Sequence, residues 1–333
     1  MPYIKEVVLV KIGVALSGGG VRGAAHIGVL KALHEGGVPI HAISGTSSGS
    51  IVACMYAAGY TPWEIEELFL RFERGRIVDL EWRNFLPTLI DLLLLRRFWQ
   101  KDCRNIVDID FAGILLFIIN WLFLRRGRVD GFVRGDVLEA VIREYCVEKN
   151  IKCMQDVKMP LAIPAVDINS AETVMFISYK VPLSDVPHMI FIDEACVWEA
   201  VRASAAFPVV FKPKMLQGRR LVDGGISDNV PVKILKKMGA DCVLAVNLGY
   251  AGHPKEEIDN IFEIASQSID IMGYQLSRYK LDGADYVFKP KIYDVTLLET
   301  SRIQECIDRA YIKAKKEIPK IREALGLGAM YVR

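Results

Sequence analysis

The order of apolar runs, glycine turns and amphipathic segments predicts an α/β protein with a mostly parallel, helix-covered sheet. Two observations carry that prediction. A strand-like run, a glycine-rich loop and a helix-like run follow one another twice within the first 60 residues. The same alternation returns from about residue 160 to the C-terminus. The composition agrees: 52% of the 333 residues are apolar and 25% are charged, which suits a substantial buried core.

The first unit begins with a β-rich run, Val7 to Leu16, that ends abruptly at Ser17-Gly18-Gly19-Gly20-Val21-Arg22-Gly23. A helix is expected from Ala24 to about Glu35, with Ile27, Leu30 and Leu33 at core spacing and Gly36-Gly37 stopping it. The glycine loop contains Gly18-x-Gly20-x-x-Gly23, the spacing of a dinucleotide fingerprint. That reading needs an acid about 20 residues on to hold the ribose, and Ala42-Ile43-Ser44 supplies none. A Walker loop fails too, because no Gly-Lys-Ser/Thr follows. Two readings stand: a glycine turn that only joins strand to helix, or an oxyanion hole of backbone N–H groups with the Arg22 charge nearby.

The second unit is built around Gly45-Thr46-Ser47-Ser48-Gly49. Val38 to Ile43 leads in as a strand, and a helix runs out to Ala58. A serine on so sharp a strand-to-helix turn holds its hydroxyl in open space at a helix N-terminus, while Gly45 and Gly49 permit the tight backbone. That is the geometry of a nucleophile. The pentapeptide alone is a weak signal.

A helix follows from Tyr60 to about Gly75, and then the composition changes. Residues from about 80 to 130 are rich in Leu, Ile, Phe, Trp and Arg. Phe111 to Leu124 is a 14-residue run without charge, closed by Arg125, Arg126 and Arg128. A membrane-spanning helix needs about 20 residues. The segment reads either as core or a homo-oligomer surface, or as a cap dipping into lipid with Trp121 and the arginines at headgroup level.

Asp136 to about Glu148 reads as an amphipathic helix, and Leu161–Ile168 and Thr173–Tyr179 as strands. Asp167 and Asn169, at a strand end, read as turn-stabilising. Val197 to Ala206 is helical. Leu221-Val222-Asp223-Gly224-Gly225 then places a carboxylate at a strand end, in a backbone able to pass close to another loop. Beyond it, Cys242–Leu248 is a buried strand, Glu256–Leu281 a helix with a break expected at Gly273, and Tyr286–Phe288 a short strand. Ser301–Leu325 is a helix with Ile303, Ile307, Ala310, Ala314 and Ile321 inward, which Pro319 is expected to kink or end early.

A serine nucleophile needs a base. Of the five histidines, His253 alone lies late in the chain after a strand, where a Ser-Asp/Glu-His hydrolase would place it; the facing of His26 is open. The alternative is a Ser–Asp dyad. An ordinary carboxylate is a weak base toward a hydroxyl, but one held close in a desolvated site has a raised pKa, and the Asp223-Gly224-Gly225 corner offers such a placement.

The set Ser-Gly-Gly-Gly-Val-Arg-Gly, Gly-Thr-Ser-Ser-Gly and Asp-Gly-Gly, in that order between residues 17 and 225, resembles the patatin-like phospholipase family. The resemblance implies a three-layer α/β/α fold and lipid acyl hydrolase activity through a Ser–Asp dyad. It makes Ser47 the nucleophile and Asp223 the base. It assigns the oxyanion hole to the N–H groups of Gly18, Gly19 and Gly20, with Arg22 and Gly23 completing the loop and Gly224 and Gly225 flanking the base. On this reading residues 8–240 are the catalytic domain, with the apolar insertion at about 80–130, and 241–333 continue the same domain.

Other classes are set aside. A net charge of +2 gives no reason to expect nucleic-acid binding. The seven cysteines lack a C-x-x-C pair or a zinc spacing, which suits reduced thiols in the cytosol. The first residues do not read as a signal peptide, so a cytoplasmic location, with or without peripheral membrane contact, is expected. No acidic calcium loop is visible, and no metal or cofactor is expected. The leading expectation is a lipid ester hydrolase acting through an acyl-enzyme; the alternative is a membrane-docking or acyl-binding module with an idle serine.

Overall fold

A computed structural model describes residues 10–74, 130–179, 188–249, 261–297 and 299–328. Most of the apolar 80–130 segment, the start of the Val7–Leu16 run and His253 lie outside the described residues.

The helices among the described residues are α1 (Ala25–Glu35), α2 (Ser48–Ala57), α3 (Pro62–Arg74), α4 (Asp136–Glu148), α5 (Val197–Ser204), α6 (Val232–Lys237), α7 (Ile261–Lys280) and α8 (Ile303–Ala324). The strands are β1 (Ile12–Leu16), β2 (Ala42–Gly45), β3 (Leu161–Asp167), β4 (Glu172–Ile177), β5 (Met189–Ile192), β6 (Lys214–Leu216), β7 (Arg219–Asp223), β8 (Cys242–Val246) and β9 (Tyr286–Phe288). They form one mixed, mostly parallel sheet in the order β5-β4-β3-β2-β1-β8-β9, with β7 on β3 and β6 on β7.

The central strands β1, β2 and β3 are buried along their whole lengths, as sheets covered on both faces require. Alternate residues serve opposite layers. Ile12, Val14 and Leu16 join the core with α1, α2, α3 and α8, whereas Ala15 packs with Val243 and Ala245 against Val232 and Leu235 of α6. The inward residues expected on α1 and α8 are buried. At Gly28 the two helices come so close that a Cβ would strike the backbone at Ile307.

Two expectations change. α8 runs through Pro319 to Ala324. Pro319 lies on the exposed side of the helix, as does Lys315, whose carbonyl the proline leaves without its helical donor. α7 is unbroken at Gly273, where the helix continues and the Ser277 hydroxyl donates to the Gly273 carbonyl at 2.7 Å.

The topology sets up the site. Leu16 pairs with both Gly45 and Val246, so β1, β2 and β8 end level and their C-terminal loops share one edge. β2 and β7 divide one side of β3. β2 pairs in parallel at Leu161–Ala162, and β7 pairs antiparallel at Ala165–Asp167. The two strands therefore run head-on. Asp223, opposite Ala165, arrives where the chain leaves β2 for Ser47.

Candidate active site

Ser47 sits between β2 and α2 with φ 54° and ψ −124°, a left-handed backbone that a serine adopts only when its surroundings impose it. The imposing contacts are visible. Cβ atoms at Gly45 and Gly49 would collide with the Gly49 and Ser17 backbones, so both positions require glycine. The Thr46 N–H donates to Leu16 O at 3.1 Å, the Ser47 N–H to Ser204 Oγ at 3.0 Å and the Ser50 hydroxyl to Ser47 O at 2.6 Å. From Ala42 to Ser50, Ser47 is the one residue that is not buried. These contacts pin the turn, and Ser47 itself is partly exposed.

Asp223 approaches from β7. Its N–H donates to Ala206 O at 3.0 Å, and its Oδ1 accepts from the Gly225 N–H at 2.7 Å. Gly224 lies so close to the Pro164 carbonyl that no side chain fits, which lets the Asp223 corner turn inward. The carboxylate is 3% exposed, and burial raises its pKa to about 6. The Ser47 hydroxyl, and then the Gly225 N–H, pull in the opposite direction. The Oδ2 atom has no partner in full hydrogen-bond geometry. The Ser47 hydroxyl therefore acts on a carboxyl that keeps one oxygen free of other partners.

The glycine loop abuts the elbow. A Cβ at Gly18 would lie 3.2 Å from Ser47 Cβ and 2.7 Å from Asn229 Oδ1. Here the structure differs from the expected three-amide hole. The Gly18 N–H donates to Asn229, at 3.0 Å to Oδ1 and 3.3 Å to the carbonyl, and is already satisfied. The N–H groups of Gly19, Gly20 and Ser48 have no acceptor among the described residues. Gly19 is half-buried and Gly20 exposed. Arg22 is buried, and its Nε donates to Gly19 O at 3.4 Å, so its side chain braces the loop. Gly23 packs against the Ser48 side chain.

His26 is fully buried on α1, with Nε2 2.7 Å from Ser17 O, and burial lowers its pKa to about 4. A neutral ring donating to that carbonyl fixes the entry to the glycine loop. His26 is a brace for the loop and lies apart from the dyad geometry. Asp167 keeps its expected role at a turn: Oδ1 accepts from the Asn169 N–H at 3.1 Å, and Oδ2 pairs with Arg219 at 3.2 Å.

Three residues escaped the sequence reading. Asn229 ties the glycine loop to the Asp223 loop. Ser204 holds the Ser47 amide; the run of small residues Ala203–Ala206, where backbones come close, is the signal that could have found it. Asp228 fastens the elbow through its carbonyl, which accepts from the Thr46 hydroxyl at 2.8 Å.

The family model of patatin-like phospholipases matches residues 14–236, a span that holds the glycine loop, the elbow and Asp223, and the chain belongs to that family. Lysophospholipase NTE1 of Scheffersomyces stipitis is 28% identical over 242 residues, which are 72% of this chain and 12% of that protein. The chain thus corresponds to a small part of such relatives. The uncharacterized protein YqhO of Bacillus subtilis is 27% identical over 263 residues, covering 77% of this chain and 78% of YqhO. Among solved structures, VipD of Legionella pneumophila aligns at 18% identity with a TM-score of 0.44, covering 95% of this chain and 67% of VipD. Among the described residues no helix is long and apolar enough to cross a membrane.

Proposed function

We infer that the chain is a serine acyl hydrolase of lipid esters that works through a Ser47–Asp223 dyad and an acyl-enzyme. One observation carries this reading: the buried Asp223 carboxyl, one oxygen of which has no hydrogen-bond partner, is acted on by the hydroxyl of a serine held on a strained, partly exposed turn.

Asp223 Oδ2 takes the proton as Ser47 Oγ attacks the ester carbonyl carbon. The raised pKa makes the carboxylate a better base while leaving it mostly ionised at neutral pH. The carbonyl oxygen becomes an oxyanion held by the amides of Gly19, Gly20 and Ser48, the last at the N-terminus of α2. The tetrahedral intermediate collapses, the C–O bond to the alcohol breaks, and Asp223 returns the proton to the departing alkoxide. Water, activated by the same carboxylate, then attacks the acyl-serine and releases the fatty acid. Membership of the family, and relatives named lysophospholipases, support phospholipids and lysophospholipids as the substrate class.

The test is labelling with a fluorescent fluorophosphonate, comparing wild type with Ser47→Ala and Asp223→Asn. The expected result is a labelled wild type, no label on Ser47→Ala and strongly slowed labelling of Asp223→Asn. Equal labelling of Ser47→Ala would refute the assignment. An unlabelled but folded wild type would return the protein to the docking-module reading.

A further inference from the structure

α7 is built inside out. Its apolar residues Ile264, Ile271, Met272, Leu276 and Tyr279 are between 40% and 77% exposed, whereas Ser277, on the opposite side, is 3% exposed and Gln267, at the edge of that face, is 6% exposed. At about 100° per residue the five apolar positions share one face, in which the exposed Ser268 and Gln275 are interspersed. A water-facing helix places its apolar residues the other way round. Such an outward stripe marks a surface that meets an apolar partner.

Its location narrows the partner. α7 packs against the turn Gly224–Ile226, directly after Asp223. The end of the helix carries Arg278 and Lys280, and Lys280 lies close enough to Asp228 to act on its charge, as does the exposed Lys233 at the start of α6. Cations therefore rim the apolar stripe where it nears the site. Another exposed apolar residue follows the segment that holds Asp223. Val209, three residues beyond the Ala206 carbonyl that holds Asp223, is 42% exposed with φ 70°. A β-branched residue rarely tolerates that backbone.

We propose that the outward face of α7 docks on a phospholipid bilayer bearing anionic headgroups, seating its apolar stripe at the acyl boundary with Arg278, Lys280 and Lys233 at headgroup level. An apolar face rimmed by cations is the chemistry of an interfacial helix. Docking there sets the Ser47–Asp223 site against the lipid surface, so the proposal rests on the lipid-ester reading above. It assigns the lipid contact to α7, a different part of the chain from the apolar 80–130 segment.

The experiment is vesicle co-sedimentation, with phosphatidylcholine–phosphatidylglycerol vesicles and phosphatidylcholine vesicles, using full-length wild type, Ser47→Ala, Ile271→Glu/Leu276→Glu and Arg278→Ala/Lys280→Ala. Hydrolysis of a short-chain water-soluble ester and of vesicle lipid is measured in parallel. Wild type and Ser47→Ala are expected to bind the mixed vesicles equally. The Glu variant loses more than about tenfold in binding. The cation variant loses about fivefold per charge, on anionic vesicles only. Both keep wild-type turnover of the soluble ester and lose vesicle hydrolysis in step with binding. Ile271, Leu276 and Arg278 are exposed and Lys280 is half-buried, and a melting curve matched to wild type verifies the fold of each variant. A milder Met272→Gln/Tyr279→Gln variant repeats the test should the Glu variant melt early.

Unchanged vesicle binding by both apolar-face variants would overturn the proposal, as would a wild type that binds neither vesicle. Light scattering adds a third decisive outcome: a wild-type dimer that Ile271→Glu/Leu276→Glu converts to monomer shows that a second copy covers the face. Absence of soluble-ester turnover in wild type, with binding still dependent on α7, would instead remove the catalytic reading and leave the docking surface.

Discussion

Two carboxylates five residues apart, at the two ends of the loop after β7, have closely similar surroundings. Asp223 is 3% exposed and Asp228 5% exposed. Burial raises both to a pKa of about 6. Each leaves one oxygen without a hydrogen-bond partner, Oδ2 in Asp223 and Oδ1 in Asp228. What faces them differs. The Ser47 hydroxyl acts on Asp223, whereas Lys280 and Lys233 act on Asp228. Asp228 also works through its backbone, donating to Gly224 O at 2.8 Å and accepting the Thr46 hydroxyl at 2.8 Å. A raised pKa records burial; the role comes from the atom in front of the carboxylate.

The largest expected effect separates the two directly. Asp223→Asn keeps the acceptor for Gly225 but removes the base, and kcat on a soluble ester should fall by about a thousandfold. Asp228→Asn should leave kcat/KM near wild type. The wild-type rate should rise with pH through about 6, as Asp223 ionises, and the same limb should persist in Asp228→Asn. Reversed results for the two variants would move the base to Asp228.

Stability should treat the pair alike where activity does not. Asp223 has a folded pKa of about 6 against an ordinary 3.8. The folded state therefore holds the proton more tightly. This group's contribution is most favourable below about pH 4, declines as pH rises to about 6 and is level above that. Asparagine carries no such cost, so Asp223→Asn should be more stable than wild type by up to about 3 kcal/mol at about pH 8, with the gap closing below about pH 4. Asp228→Asn should show the same sign. Denaturant melts at the two pH values measure this. A destabilised Asp223→Asn at high pH would mean that the ionised carboxylate gains more from its neighbours than burial costs it.

The elbow, the glycine loop and the Asp223 corner were legible in the sequence because each is a local backbone device, and glycines at close approaches spell it out. Burial of Asp223 could be anticipated from the strand before it. The partners across the fold could not. The acceptor for Gly18 is Asn229, on the far side of the sheet's connectivity, and no local pattern links the two. Hydrophobic periodicity announced α7 as a helix without revealing which side faces out, since that depends on what it packs against. Pro319 misled because its effect depends on whether the orphaned carbonyl meets water or protein.

Ser204→Ala should have the next largest effect. It removes the acceptor of the Ser47 amide at a residue with φ 54°. An unsatisfied amide there costs about 1–2 kcal/mol, so kcat should fall by about tenfold. KM should stay unchanged, because Ser204 holds the nucleophile and does not touch substrate. A rise in KM with kcat intact would place Ser204 in the acyl pocket instead.

The smallest effect tests what Asp228 does. Thr46→Val preserves shape and removes only the hydroxyl that donates to Asp228 O. Breaking one buried hydrogen bond should cost about 1 kcal/mol of stability and slow turnover a few-fold, through a looser elbow. If Asp228 matters through its backbone, Thr46→Val should disturb kcat more than Asp228→Asn does, even though it leaves the carboxylate in place. The opposite order, with Asp228→Asn the more damaging, would show that the buried charge takes part in the reaction and that the two carboxylates act as a pair.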